Sequence, residues 1–433
     1  MNKFYFLLLF LFLFHNQVFS QFVSKELDNI FTTNISTYNN KVVCIVTKDD
    51  NVVYQKSFGT FNINSQTPIA SATKTFSALV VLSLVKDNLI SLDDNIGKYL
   101  PLFNTYGKGN CTIRQCFSHT GGWPGNSTRN YEGSSTMTLA EAVDSIAKYV
   151  PMNYTPGKAF EYGGLSMHII GRIAEVVTGK SWNTIFQERV YAPLGLSNTS
   201  FCLVANNPRI AGGICSNATD IKKLADFILH KGIIGNDTII KPTIMEEMWK
   251  DQTNKAYVLA TPFPINSSYN NPYNSDTVRY GIGTWLDVYN PNTHYQEQIS
   301  GAGAFGTYFW IDRCRNITGV ILTNGSYNSI IGINFQIVDA VQSQYISNCS
   351  PNNLVPIKKK LGISIYPNPC TNQFKIELAE NSIVTIKDIS GKTILREKNA
   401  STRFIDTQNW KSGMYFVTIF SNHQYFNSKI IKE

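Results

Sequence analysis

The sequence predicts an α+β domain followed by a small all-β sandwich, and three observations carry that expectation. Strand-like runs stand at both ends of the first part of the chain, and helical periodicity fills the stretch between them. After Asn348 the composition changes to short β-rich runs separated by turns.

Taken in order, the chain begins with Lys3, an apolar run from Phe6 to Phe14 and Val18-Phe19-Ser20 before Gln21. This reads as a cleaved signal peptide over residues 1–20, because the apolar run is far shorter than the roughly 20 residues that span a bilayer. The body is expected over 21–347. Val42 to Thr47 and Val52 to Phe58 flank the polar Lys48-Asp49-Asp50-Asn51 and predict a hairpin. Helices are expected from Ser71 to Lys86, Leu139 to Tyr149, Met167 to Thr178 and Asn334 to Ile346. Phe305 to Asp312 and Ile317 to Thr323 read as further strands around a polar turn. Strands from distant parts of the chain with helices between them predict an antiparallel sheet carrying a helical insertion. Residues 348–362, with Ser-Pro-Asn-Asn and Lys358-Lys359-Lys360, read as a linker. Residues 363–433 form the sandwich module, with runs at Phe374 to Leu378, Ile383 to Ile386, Tyr415 to Ile419 and Tyr425 to Ile431.

The net charge of +8 is concentrated in the tail. Residues 21–349 hold 25 basic and 24 acidic side chains, so the body lacks the basic footprint of a nucleic-acid-binding protein. The six histidines are scattered without ligand spacing, and neither a metal site nor a cofactor is expected. Eight cysteines in an exported chain permit disulfides; Cys111 with Cys116 and Cys202 with Cys215 are the nearest pairs, while connectivity stays open.

Ser71-Ala72-Thr73-Lys74 is an S-x-x-K sequence, which on a helix sets a hydroxyl and an amine on one face. A lysine can activate the serine only if burial or positive potential lowers its pKa. Ser83-Leu84-Val85-Lys86 and Ser145-Ile146-Ala147-Lys148 have the same spacing but lie inside predicted helices. Ser71 stands at a helix start, where its own N–H is free to face an oxyanion; the alternative for it is a structural N-cap. Gly164-Leu165-Ser166-Met167-His168 approaches a nucleophile elbow but lacks the final glycine and a preceding strand.

These residues resemble the serine β-lactamase-like superfamily, which includes class C β-lactamases, D-alanyl-D-alanine peptidases and family VIII carboxylesterases. The resemblance covers about residues 25–347 and rests on ordered motifs. They include Ile69 to Lys74, Ser118-His119-Thr120-Gly121-Gly122, Pro156 to Gly164, Ala211 to Ser216 and Gly303-Ala304-Phe305-Gly306-Thr307. It implies Ser71 as nucleophile, with Lys74 and Tyr162 moving the proton and the backbone amides of Ser71 and Ala304 holding the oxyanion. It also implies substrate contacts at Gly164 and at Gly301-Ala302-Gly303, the last on an edge strand. His119, a tempting general base, is placed by the resemblance in a structural turn. Two departures bear on substrate: Tyr162-Gly163-Gly164 stands where the family has Y-x-N, and Gly301 stands where β-lactamases have the lysine of K-T-G. That lysine would hold a carboxylate by a charge-assisted contact. The expectation is therefore a serine hydrolase of small ester or amide substrates, with esters leading and D-amino-acid peptides or β-lactams as the rival class. A non-catalytic binding protein that kept the fold is a third reading. The Asn-x-Ser/Thr sequons, such as Asn126-Ser127-Thr128, are expected by chance in a chain rich in these residues.

The tail resembles the C-terminal sorting domain of the type IX secretion system of Bacteroidota. The match lies in Tyr366-Pro367-Asn368-Pro369, Asp388 to Lys392, Ser412-Gly413-Met414-Tyr415 and Lys429-Ile430-Ile431-Lys432. It implies that secretion machinery as a partner, with release from the cell or attachment to its surface by way of the periplasm. A carbohydrate-binding sandwich is the alternative, although Trp410 is its one tryptophan.

Overall fold

A Val-, Ile- and Thr-rich run before two left-handed aspartates and Val52-Val53-Tyr54 after them build the first hairpin. Strand β1 (Lys41–Lys48) turns through Asp49 (φ 47°) and Asp50 (φ 64°) into β2 (Asn51–Gly59), the geometry of a two-residue loop that matches strand twist. The chain is described by a computed structural model over residues 24–262, 278–290, 295–345, 347–349, 364–378, 382–389, 391–421 and 424–433. The expected signal peptide and nearly all of the expected linker lie outside the described residues, as does part of the stretch before Val278. The chain divides into two compact units, residues 1–349 and 350–433.

In the first unit the hairpin is completed by four strands from far along the chain: β3 (Trp285–Asn290), β4 (Tyr295–Ala302), β5 (Tyr308–Asp312) and β6 (Ile317–Thr323). Their order is β3-β4-β5-β6-β1-β2, antiparallel throughout. Every residue of β5 and β6 is buried, so both faces of the sheet are covered. Helix α1 spans residues 24–33. Helix α2 (Thr73–Lys86) carries apolar side chains all round and is buried over Thr73 to Leu84, the pattern of a helix enclosed on every side. The insertion supplies α3 (Leu139–Tyr149), held at its start by a Thr138–Glu141 capping box, and α4 (Leu165–Thr178). Helix α5 (Ala218–Leu229) and α6 (Tyr327–Gln342) follow.

Four expectations are corrected. The α-helix expected from Ser71 begins at Thr73, preceded by a 3-10 turn over Ala70–Ala72. The last helix starts at Tyr327 rather than Asn334, and Phe305 belongs to a turn instead of a strand. Gly301 is not on an edge strand, since β3 lies outside β4; yet pairing stops at Trp285↔Ser300, which leaves Gly301 and Ala302 past the end of β3. Disulfides join Cys202 to Cys215 and Cys314 to Cys349, whereas Cys111 and Cys116 are buried thiols 3.4 Å apart.

The second unit is a seven-stranded sandwich. One sheet pairs β7 (Ser364–Tyr366), β8 (Gln373–Glu377) and β11 (Arg403–Asp406). The other pairs β10 (Thr393–Ala400), β9 (Ser382–Asp388), β12 (Gly413–Ser421) and β13 (Gln424–Lys432). Phe374 and Ile376 from one sheet and Ile386, Val417 and Ile419 from the other share a single core. Trp410 packs into that core against Phe374 and Tyr415 and offers no exposed platform. Among the described residues, no helix is long and apolar enough to cross a membrane.

Candidate active site

The segment before α2 is held in an unusual shape. Ile69 N donates to Ile214 O at 2.9 Å, and Ala70 follows with φ 45°, a left-handed conformation that costs a non-glycine residue energy. The residue just after β4 presses on this point: a Cβ on Gly303 would lie 2.2 Å from Ile69 O. Only glycine permits that approach, and it brings the end of the sheet beside Ser71.

Because α2 is enclosed, its polar side chains must find partners. Thr75 Oγ1 donates to Gly283 O (2.8 Å) and Ser77 Oγ to Ile210 O (2.6 Å). Lys74, 3 % exposed, donates to Ser71 Oγ at 2.9 Å and to Ala211 O at 3.0 Å. It has no carboxylate partner among the described residues, and burial lowers its pKa to about 7.

Tyr162 reaches the same point from the insertion. It follows a short strand, Ala159–Glu161, that pairs in parallel with Tyr257–Ala260. Its ring stacks on the Trp285 indole, centroids 4.9 Å apart at 27°. Burial raises its pKa, and the side chains of Ser71 and Trp285 oppose the rise. Ser71 thus meets an amine poised near neutrality and a phenol.

A cleft of about 260 Å³ opens on Ser71 and is lined also by Tyr162, Pro262, Trp285, Ala302, Gly303, Ala304, Ser326, Tyr327 and Asn328. Among the described residues, no formally charged side chain is in that lining. Of the expected site residues, Ser71, Tyr162, Gly303 and Ala304 line the cleft and Lys74 lies behind Ser71, while Gly164 and Gly301 are not in the wall. Gly164 N donates to Gly125 O (2.7 Å) and Asn126 Oδ1 (3.2 Å). At Gly301 a Cβ would lie 2.3 Å from the Phe309 ring, so an aromatic fills the space a lysine side chain would enter.

The competing serines are committed elsewhere. Ser83 Oγ donates to Val80 O, Ser145 Oγ to Glu141 O and Ser166 Oγ to Cys116 O. His119 lies behind Tyr162, buried in a left-handed turn (φ 61°), and burial together with the Lys74 charge holds its pKa well below the usual value. Sequence reasoning missed Trp285 and Tyr327. The glycine spacing of Gly281-Ile282-Gly283-Thr284 ahead of Trp285 was the available signal: Gly283 (φ 73°) packs so closely that a Cβ would lie 2.7 Å from Lys74 O. Among the described residues, no cluster could hold a metal ion.

Comparison with known proteins agrees with this architecture. The Beta-lactamase family profile matches residues 34–341, and that of the Secretion system C-terminal sorting domain matches 364–433. A "putative beta-lactamase" from Bacteroides dorei DSM 17855 superposes with a TM-score of 0.66 at 31% identity, covering 74% of this chain and 98% of that one. A family VIII carboxylesterase of 17% identity shares the fold, with a TM-score of 0.59 over 74% of this chain and 97% of that one. An Escherichia coli (strain K12) protein described as "Putative D-alanyl-D-alanine carboxypeptidase" is 25% identical over 215 residues, 43% of this chain. The match spans 48% of that relative, about half its length.

Proposed function

The chain belongs to the Beta-lactamase family of serine hydrolases and ends in a secretion-system sorting domain, and from that premise we propose that it is an exported esterase working through an acyl-Ser71 intermediate. The observation that carries the reading is the 2.9 Å contact between Lys74 Nζ and Ser71 Oγ in a buried setting that lowers the amine's pKa to about 7. Neutral Lys74 accepts the Ser71 proton as Oγ attacks the substrate carbonyl. Tyr162 gives its phenolic proton to the leaving alkoxide and is reprotonated from Lys74, which returns the amine to its neutral form, and the backbone N–H groups of Ser71 and Ala304 stabilise the oxyanion. Water then releases the acid. In the division of labour we propose, residues 21–347 do the chemistry, 363–433 address the protein to the type IX machinery, 348–362 link the two and 1–20 are removed on export. The product is a protein released from the cell or held at its surface.

The lack of a charged side chain among the described residues of the cleft wall and the Phe309 ring beside Gly301 support neutral carboxylic esters over substrates that present a carboxylate. A D-amino-acid peptidase or amidase is the second reading, favoured by the carboxypeptidase relative. The test compares short-chain nitrophenyl esters with a chromogenic β-lactam and a D-alanyl peptide. Faster turnover of either latter compound overturns the ester preference. A fluorophosphonate probe should label wild type and leave Ser71→Ala unlabelled; equal labelling would sink Ser71 as the nucleophile, and no labelling of either would favour a binding protein.

A further inference from the structure

Three successive backbone amides fix Tyr162, and two of them point to one residue. Tyr162 N donates to Ala260 O at 3.0 Å, on the side of the neighbouring strand. On either side of it, Glu161 N donates to His119 O at 2.9 Å and Gly163 N donates to His119 Nδ1 at 3.4 Å. The His119 ring also lies under the catalytic phenol, 4.5 Å from the Tyr162 centroid, with Tyr280 at 4.8 Å and Phe160 at 5.6 Å around it. Residue 163 packs closely on the opposite side, where a Cβ would lie 1.8 Å from Gly125 O.

The bond from Gly163 fixes the chemistry of the imidazole. To accept it, Nδ1 must carry no proton, so the proton sits on Nε2. Nε2 is buried without a hydrogen-bond partner among the described residues, and the group facing the ring from α2 is the Lys74 amine, whose charge disfavours a second positive charge. Nothing in this arrangement lets His119 exchange a proton with Ser71.

Resting on the proposed role of Tyr162, we infer that His119 is a positioning residue that clamps the backbone on both sides of Tyr162 and sets where its hydroxyl meets Ser71. The main-chain half of the clamp needs φ near 61°, which Asn and Gly tolerate. The side-chain half needs an acceptor at the Nδ1 position, which Asn Oδ1 supplies and Gly lacks.

The test uses the full-length protein and 4-nitrophenyl acetate, with the active fraction counted by fluorophosphonate labelling. His119→Gly should lower kcat by about 10- to 100-fold with KM within about threefold, the mark of a group acting on the transition state. His119→Asn should stay within about fivefold of wild type, because Asn Oδ1 keeps an acceptor for Gly163 N and only its geometry changes. In a Tyr162→Phe background His119→Gly should cost less than about twofold more, because its effect passes through the missing hydroxyl. Equal losses for Asn and Gly, or the same Gly loss in both backgrounds, overturn the inference. If His119→Gly does not fold, a loss above about tenfold in His119→Asn overturns it alone, and a smaller loss upholds it. Retained hydrolysis by Ser71→Ala would instead sink the reading of the site, and that result involves no His119 variant.

Discussion

Lys74 Nζ sits 4.5 Å from the centre of the Tyr162 ring, over its face. Lys74 Nζ donates to Ser71 Oγ at 2.9 Å, so in the proposed mechanism the state of the amine decides whether the serine can lose its proton.

The first prediction concerns pH. Lys74 titrates at about 7 in the folded protein, and only its neutral form is a base. kcat/KM for an ester should rise about tenfold per unit below that point and level off above it. A pH–rate profile checks this, and a flat profile from pH 5 to about 8 would remove Lys74 as the base.

Stability should move in a related way. The unfolded lysine titrates near about 10.4, so between about 7 and that value the unfolded state binds more protons. This group's contribution therefore improves as pH rises through the window, and its burial cost is complete below it. Lys74→Met should abolish turnover while melting above wild type at pH 6, with the advantage shrinking toward about pH 10. Calorimetric scans across the range decide it.

Gly301→Ala should lower the melting temperature, since the added methyl meets the Phe309 ring at 2.3 Å. Overpacking of this kind costs about 1–3 kcal/mol. Gly301→Lys should be at least as unstable and gain no turnover of D-alanyl peptides. Adding Phe309→Ala should recover part of the lost stability.

Cys202–Cys215 closes a loop with a sequence separation of 13 that contains Ala211, whose carbonyl holds Lys74. Replacing both cysteines with serine should cost about 2–4 kcal/mol. Esterase activity should then be lost at a lower temperature, measured by thermal inactivation with and without reductant.

Trp285→Phe keeps a ring against Tyr162 but removes the indole N–H, the polar group through which Trp285 opposes the rise in the phenol's pKa. kcat should fall by about three- to tenfold, the value of one hydrogen bond, with the far-ultraviolet spectrum unchanged.

The serine and its lysine were legible because their relationship is local, one turn of chain. Tyr162 was legible only through resemblance, since nothing near it in sequence marks it as more than a core aromatic. Strand β4 was hidden by its composition: Gln296, Gln298 and Ser300 are buried, yet polar enough to read as surface. The structure accounts for them, because Gln298 Nε2 and Ser300 Oγ both donate to the buried Asp287 at 2.9 Å. Partnerships across the chain of this kind leave no periodic trace. The same holds for Cys314–Cys349, 35 residues apart, and for the meeting of Gly303 with Ile69.

The sheet has a consequence in time. Thr323 Oγ1 donates to Lys41 O across 282 residues, in a register that runs from Val42↔Thr323 to Lys48↔Ile317. A chain emerging from its N-terminus presents the first hairpin long before β6 exists to cover its open side. Closing so wide a loop is slow, so the body stays threadable until almost all of it has been made. Expression fragments ending before β6 should accumulate as aggregates, because each leaves an apolar strand waiting for a neighbour.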